Sequence, residues 1–165
     1  NVMASRGSVI PLFHNQIINN KPITVTDPNM TRFMMTLGNA VELVMFAFKN
    51  GRSGDIFVQK SPSSTIGELA LAMKKIYSSK VEIKNIGIRH GEKFHETLLS
   101  KEEKIISEDL GDYYRIPADN RDLNYEKYFS KGRKTDELDE FNSNNTIRLT
   151  EESLIELLAS IGYKT

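Results

Sequence analysis

A short loop between Ile88 and Glu96 carries the side chains best suited to chemistry in this sequence. Arg89 offers a planar set of donors that can hold a phosphate at two points, which a lysine cannot do. Gly91 permits a turn with positive φ, and Glu92 can accept hydrogen bonds from a pair of sugar hydroxyls. One cation and one acceptor at the end of a β-prone run suit a nucleoside diphosphate. The alternative is an ordinary solvated loop.

A second arginine, Arg32, lies in an apolar segment and has no acidic neighbour within four residues. It is either a surface arginine whose aliphatic stem packs on apolar neighbours or a second anion ligand beside Arg89. The histidines have no metal-ligand spacing. Four carboxylates can in principle do acid–base work, although the sequence identifies no partner for any of them: Asp27, Glu92, Glu96 and Asp109.

Composition narrows the classes of function. The 165 residues suffice for one domain with its own core, and the 22 basic and 22 acidic residues balance, which argues against a nucleic-acid binder. The absence of cysteine excludes disulfides and thiolate metal sites. Without a bilayer-length apolar run or a signal peptide, we expect a cytoplasmic protein. The opening at Asn1 reads like the middle of a protein, so we expect a fragment.

Apolar spacing predicts the elements that must position these residues. Ser8 is expected to cap a helix that Asn19 and Asn20 end. A longer amphipathic helix is expected after Thr65, and Thr150 is expected to cap the last helix. Predicted strands cover residues 23–26, 55–59, 80–88, 97–99, 105–106 and 112–117, with a turn at 27–29 and a charged turn at 100–104.

One further predicted helix follows Asn39, its expected N-cap. Val41, Val44, Met45 and Phe48 form one stripe, and other faces of this helix are apolar as well. Because a helix that is apolar nearly all round is normally buried, we expect it to pack against more protein than this chain supplies. That protein is either a missing domain or a second subunit.

Three stretches in order, residues 1–13, 23–36 and 87–96, resemble one group of enzymes. These are the extended short-chain dehydrogenase/reductases that act on nucleotide sugars. The resemblance is closest to the UDP-N-acetylglucosamine 4,6-dehydratases of polysaccharide and flagellin-glycan pathways, and within them to the capsular polysaccharide 4,6-dehydratase/5-epimerases. It covers almost the whole chain.

The resemblance implies an α/β fold, the C-terminal substrate-binding domain of such an enzyme without its Rossmann half. Residues 1–117 are then the UDP-sugar-binding domain with the crossing segment from the Rossmann domain. Residues 118–165 are a C-terminal extension that ends in an amphipathic helix and either joins subunits or covers the active site. The glycine motif and the Tyr-x-x-x-Lys pair of the family belong to the part before Asn1.

The resemblance also implies a substrate site. The diphosphate-binding arginines fall on Arg32 and Arg89, the ribose acceptor falls on Glu92, and Asn1 corresponds to an asparagine that reaches the diphosphate. Arg6 lies where the family approaches substrate. The segments that flank the uracil fall on Gly7, Ser8, Val9, Thr24 and Val25. No catalytic, cofactor-binding or metal-binding residue is assigned to this chain.

The implied chemistry oxidises the sugar at C4, eliminates water across C5 and C6 and returns hydride to C6, with inversion at C5 in the capsular group. The implied cofactor is NADP, bound mainly by the missing domain. The implied partners are UDP-N-acetylglucosamine or a related UDP-sugar and further copies of the chain, with no nucleic acid and no membrane span. Alternatives are a non-catalytic nucleotide-sugar-binding or oligomerisation module and a sister epimerase or reductase.

Overall fold

The computed structural model describes residues 2–118 and 139–164, which form a mixed α/β fold. Helices in this part of the chain are α1 (Val9–Ile18), α2 (Leu37–Asn50), α3 (Ile66–Ile76), α4 (Lys101–Ile106) and α5 (Glu151–Ser160). Strands are β1 (Ile23–Val25), β2 (Thr31–Phe33), β3 (Ile56–Gln59), β4 (Ser63–Thr65), β5 (Ile83–Asn85), β6 (Thr97–Leu99), β7 (Glu108–Asp109), β8 (Tyr113–Ile116) and β9 (Phe141–Asn142).

The chain divides into two compact units. The first unit comprises Asn1–Gly38, Ser61–Glu96 and Ser143–Thr165, and the second comprises Asn39–Lys60 and Thr97–Asn142. Both units are therefore built from separate segments of the chain. The functional boundary that we predicted after residue 117 stays a prediction.

The first unit packs helices α1, α3 and α5 against two small sheets. Strands β1 and β5 pair in parallel, and β2 pairs with β4 in antiparallel register. One apolar core fills the unit. Its members with essentially no exposure include Phe13, Ile23, Met30, Leu69, Met73 and Leu158. This core fixes the relative positions of the strands that border the candidate site.

Helix α3 shows why the amphipathic prediction was confirmed. Thr65 accepts a hydrogen bond from the backbone N–H of Glu68 at 3.0 Å, while the Glu68 carboxylate accepts one from the Thr65 N–H at 2.9 Å. This capping box satisfies donors that a helix start leaves without partners. Burial raises the pKa of Glu68, but the hydrogen bonds from Thr65 and Ser64 and the charge of Arg148 together outweigh it and lower the pKa overall.

Helices α1 and α5 are also confirmed, with one correction. Thr150 accepts a hydrogen bond from the N–H of Ser153 at 3.2 Å and caps α5 as predicted. Ser8 occupies the N-cap position of α1, yet its hydroxyl makes no capping hydrogen bond. The chain turns at Asn19 and Asn20, the latter with φ of 53°, and α1 ends there.

The second unit contains the antiparallel sheet β3–β8–β7 and the pair β6–β9. Asp55 accepts hydrogen bonds from the Arg115 guanidinium and from the backbone N–H of Arg52, both at 2.8 Å. These bonds, the one from Arg115 first, lower the pKa of Asp55 below its ordinary value of 3.8. The ion pair between Asp55 and Arg115 therefore links the start of β3 to β8.

The predicted turn at 100–104 and strand at 105–106 are wrong, because these residues form helix α4. Ser100 and Glu103 make a reciprocal capping box at its start. Six residues are too few to display a helical period, whereas a capping box starts a helix of any length. The predicted strand at 80–88 is also shorter than expected, since only Ile83–Asn85 is extended and paired.

Helix α2 begins at Leu37, so Asn39 lies inside it and is not its N-cap. No residue of α2 is buried within the described chain, and its apolar stripe is exposed, with Phe48 at 89%. The cover that we expected for this helix, a missing domain or a second subunit, stays a prediction.

The predicted C-terminal extension falls partly outside the described residues, which omit 119–138. Its remainder contains strand β9 and helix α5, and α5 packs against α3. Between these two elements, Ser143 is completely buried in the first unit. Among the described residues no helix is long and apolar enough to cross a membrane.

Candidate functional site

A cavity of about 370 Å³ lies within the first unit. Apolar side chains such as Phe33, Ile66 and Leu69 form part of its wall, and arginines, glutamates, serines and threonines also line it. Eight residues predicted for substrate binding line this one cavity: Gly7, Ser8, Val9, Thr24, Val25, Arg32, Arg89 and Glu92. The fold thus brings together segments that are far apart in sequence.

Of the other two predicted site residues, one does not line the cavity and one is not described by the structure. Arg6 is exposed and is not among the residues that line the cavity, although its neighbours Ser5 and Gly7 are. Gly7 has φ of +79°, a conformation that a residue with a side chain rarely adopts. Asn1 lies outside the described residues, so its role stays a prediction.

The loop after β5 forms a turn in which backbone and side chain interact. The backbone N–H of Glu92 donates to the carbonyl of Arg89 at 3.2 Å, and the Glu92 carboxylate accepts from the Arg89 N–H at 3.3 Å. Gly91 has φ of +83°, as expected for a glycine-dependent turn. One Glu92 oxygen therefore orders the loop that presents Arg89.

Arg32 stands at the centre of β2 and is held by backbone carbonyls. Its guanidinium donates to the carbonyls of Thr31 at 2.7 Å and Phe94 at 3.3 Å. Its Nε lies 3.6 Å from a carboxylate oxygen of Glu96, and the two side chains are 25% and 29% exposed. The acidic partner that we did not find near Arg32 in sequence is thus supplied by the loop after β5.

Ser143, in the C-terminal part of the chain, holds the loop that carries Glu96 through hydrogen bonds. The N–H of Ser143 donates to the Glu96 carbonyl at 2.8 Å, and the Glu96 N–H donates to the Ser143 hydroxyl at 2.9 Å. The same hydroxyl is 2.6 Å from the hydroxyl of Thr31, which in turn lies 2.7 Å from His95 Nδ1. Thr31 immediately precedes Arg32, so this network fixes both partners of the ion pair.

The sequence reasoning missed Gln16, which orders the predicted Thr24–Val25 segment from α1. Its side-chain oxygen accepts from the Thr24 N–H at 3.1 Å, and its amide donates to the Thr24 hydroxyl at 2.8 Å. The Thr24 backbone donor is therefore occupied within the protein. No sequence signal links a helix glutamine to a strand eight residues away, because only the packed unit brings them together.

Ser8 is the predicted site residue whose hydrogen-bonding capacity is least satisfied. Its Oγ is buried, lines the cavity and has no hydrogen-bond partner within the described residues. A buried hydroxyl without a partner costs about 1–3 kcal/mol. This observation points to a ligand or a water as the missing partner.

The other candidate acids have structural partners. Asp27 accepts from the Asn29 N–H at 2.8 Å in the predicted turn. Asp109, in the second unit, is 2.6 Å from the Lys60 ammonium, whose hydrogen bond lowers the pKa of this carboxyl. Within the described residues no three metal-ligating side chains form a group that can hold a metal ion.

Comparison with known proteins finds similar sequences along almost the whole chain. A family model described as polysaccharide biosynthesis protein matches residues 1–118, and one described as polysaccharide biosynthesis protein C-terminal matches residues 119–163. A protein of Rickettsia canadensis named UDP-glucose 4-epimerase is 58% identical over 99% of this chain and 48% of its own length. A protein of Rickettsia akari with the same name is 56% identical over the same shares.

The X-ray structure of Pen from Bacillus thuringiensis has a TM-score of 0.80 and 35% identity, covering all of this chain and 48% of Pen. The chain thus spans about half the length of the relatives that it matches. The matched half is their C-terminal region, which confirms the expected fold class.

Proposed function

This chain belongs to the polysaccharide biosynthesis protein family, and on that premise we propose that it is the UDP-sugar-binding half of an enzyme that modifies nucleotide sugars. The reaction that we propose is NADP-dependent 4,6-dehydration of UDP-N-acetylglucosamine with inversion at C5, as in the capsular polysaccharide group. The longer protein is proposed to be a homo-oligomer. Residues 1–117 are proposed as the substrate domain and residues 118–165 as its C-terminal extension.

The observation that carries this proposal is the meeting of Arg32, Arg89 and Glu92 on one cavity with a partly apolar wall. Two guanidinium groups suit a diphosphate, because both carry positive charge and the Arg89 guanidinium also offers planar paired donors. A carboxylate suits the two hydroxyls of a ribose. The apolar wall suits a flat base, and small-molecule sites have volumes in the range of about 300–1,000 Å³.

The residues of this chain are proposed to bind and orient the substrate. Holding the diphosphate and ribose fixes the position of the hexose, and correct positioning is a large part of catalysis. Bound NADP would accept hydride from the sugar and return it. The chain contains no GxGxxG sequence to hold such a cofactor, so we assign no cofactor contact to it and derive no step through the cofactor.

A second candidate reaction is epimerisation at C4 of the hexose. The printed name of the Rickettsia relatives favours it, and their identity to this chain is high. Both reactions require the UDP moiety to be bound in the same way. The cavity therefore supports both, and the difference lies in which hexose atoms react.

The test uses the longer protein that contains this chain, incubated with UDP-N-acetylglucosamine and NADP and followed by proton NMR. A dehydratase gives a product with a new C6 methyl signal, whereas an epimerase gives only a change at C4. Arg89→Ala is expected to remove turnover, and Arg52→Ala, which changes an exposed arginine that is not among the cavity-lining residues, is expected to retain it. A C4 epimer as sole product would exclude the dehydratase.

A further inference from the structure

The two arginines of the cavity differ in their electrostatic surroundings. Arg32 has a counter-charge in Glu96, at 3.6 Å between Nε and the carboxylate oxygen. Arg89 forms no ion pair with any residue that the structure describes. The cavity wall therefore holds two cations and two carboxylates, and one cation is already partly neutralised before a ligand arrives.

The backbone of Glu96 is held on both sides by Ser143, through bonds of 2.8 Å and 2.9 Å. This places its carboxylate beside Arg32, where the Glu96 side chain is 29% exposed. Arg32 is equally constrained, because its guanidinium is tied to the carbonyls of Thr31 and Phe94. A ligand phosphate beside Arg32 must therefore lie close to the negative charge of Glu96 as well.

From this geometry we infer that Glu96 is a specificity-determining residue that sets which diphosphate the cavity accepts. It favours a nucleoside diphosphate esterified at both ends, as in a nucleotide sugar, over the free nucleoside diphosphate. A terminal phosphate monoester carries about −1.5 to −2 charge at pH 7, against about −1 once it is esterified. The additional charge is repelled by Glu96 and is not matched by a third cation among the described residues that line the cavity.

This inference rests on the proposed function and deepens it. For an enzyme whose substrate and product are both nucleotide sugars, free nucleoside diphosphate is a competitor for the same site. A carboxylate beside one arginine lowers the affinity for both ligands and lowers it more for the competitor. Specificity of this kind depends on a repulsive element as well as on attractive contacts.

The test compares two ligands that differ only in this charge: UDP and UDP methylated on its terminal phosphate. Their dissociation constants are measured by calorimetry at pH 8 and low ionic strength on the longer protein that contains this chain. The variants are Glu96→Gln, Glu96→Asp and the control Glu82→Gln, an exposed glutamate that is not among the cavity-lining residues. The quantity of interest is the ratio of the two dissociation constants, because any loss of folded protein affects both ligands equally.

Glu96→Gln is expected to strengthen UDP binding about fivefold more than binding of the methyl ester, as for removal of one like charge at a partly exposed site. Glu96→Asp and Glu82→Gln are expected to keep the wild-type ratio, and the shift is expected to shrink at high salt. An unchanged ratio in Glu96→Gln, with both ligands bound, overturns the role of Glu96 alone. Failure of the wild-type longer protein to bind either ligand overturns the proposed function together with this inference.

Discussion

Removal of the Ser143 hydroxyl is a demanding test of how the site is held together. In the structure this oxygen lies 2.9 Å from the Glu96 nitrogen, 2.6 Å from the Thr31 hydroxyl and 3.1 Å from the Thr31 carbonyl. Ser143 is 0% exposed and Thr31 is 1% exposed, so water does not replace these contacts readily. Ser143→Ala keeps the backbone bond to Glu96 and removes the others.

The expected cost follows from those contacts. A net hydrogen bond contributes roughly 0.5–1.5 kcal/mol, and a buried donor left without a partner costs about 1–3 kcal/mol. Ser143→Ala should therefore lower the free energy of unfolding by about 2–3 kcal/mol. With a urea dependence of about 1–3 kcal/mol/M for a protein of this size, the midpoint should fall by about 1 M or more.

Urea unfolding followed by circular dichroism measures this shift. Ser160→Ala is the matched control, because Ser160 is exposed and donates only to the Leu157 carbonyl of its own helix. That substitution should change the free energy of unfolding by less than about 0.5 kcal/mol. A midpoint shift in Ser143→Ala no larger than that of the control would refute the view that Ser143 pins the Glu96 loop.

Three further predictions concern the stability of the two units. The lowered pKa of Asp55 means that its pairing with Arg115 stabilises the fold above pH 3.8 and is lost as the pH falls through the folded-state value. Asp55→Asn should thus be less stable than wild type at pH 7, with a difference that vanishes in acid, as thermal melts across pH would show. Leu158→Ala should cost about 2–5 kcal/mol in urea unfolding, because Leu158 is completely buried, whereas Ile147→Ala at an exposed position should cost little. Thr65→Ala, which removes the capping box of α3, should cost about 0.5–2 kcal/mol in the same assay.

Local signals explain which elements could be predicted from the sequence. Helices α1, α3 and α5 combine a helical period of apolar residues with a recognisable start or stop, and all three were predicted. Helix α4 was missed because its six residues show no period. The start of α2 was misplaced by three residues, since an N-cap at Asn39 puts the first helical residue at position 40, whereas the helix begins at Leu37.

Site residues could be predicted where the type of side chain itself indicates what it binds. A second anion ligand beside Arg89 was one of two alternatives for Arg32, the family resemblance assigned both arginines to the diphosphate, and both line the same cavity. The contacts that fix them were not predictable, because Glu96 and Ser143 reach Arg32 and Thr31 only through the packed fold. No period or spacing in the sequence indicates a contact between residues that are so far apart in the chain.

Binding of UDP to this chain tests the central claim most directly. Calorimetry on the wild type, Arg32→Ala, Arg89→Ala and the control Arg52→Ala gives four dissociation constants under one condition. Charge-assisted hydrogen bonds contribute about 1.5–3 kcal/mol, so each cavity variant should weaken UDP about tenfold to hundredfold, while the control should bind like wild type. UDP binding that neither cavity substitution weakens would contradict the assignment of this cavity to the nucleotide diphosphate.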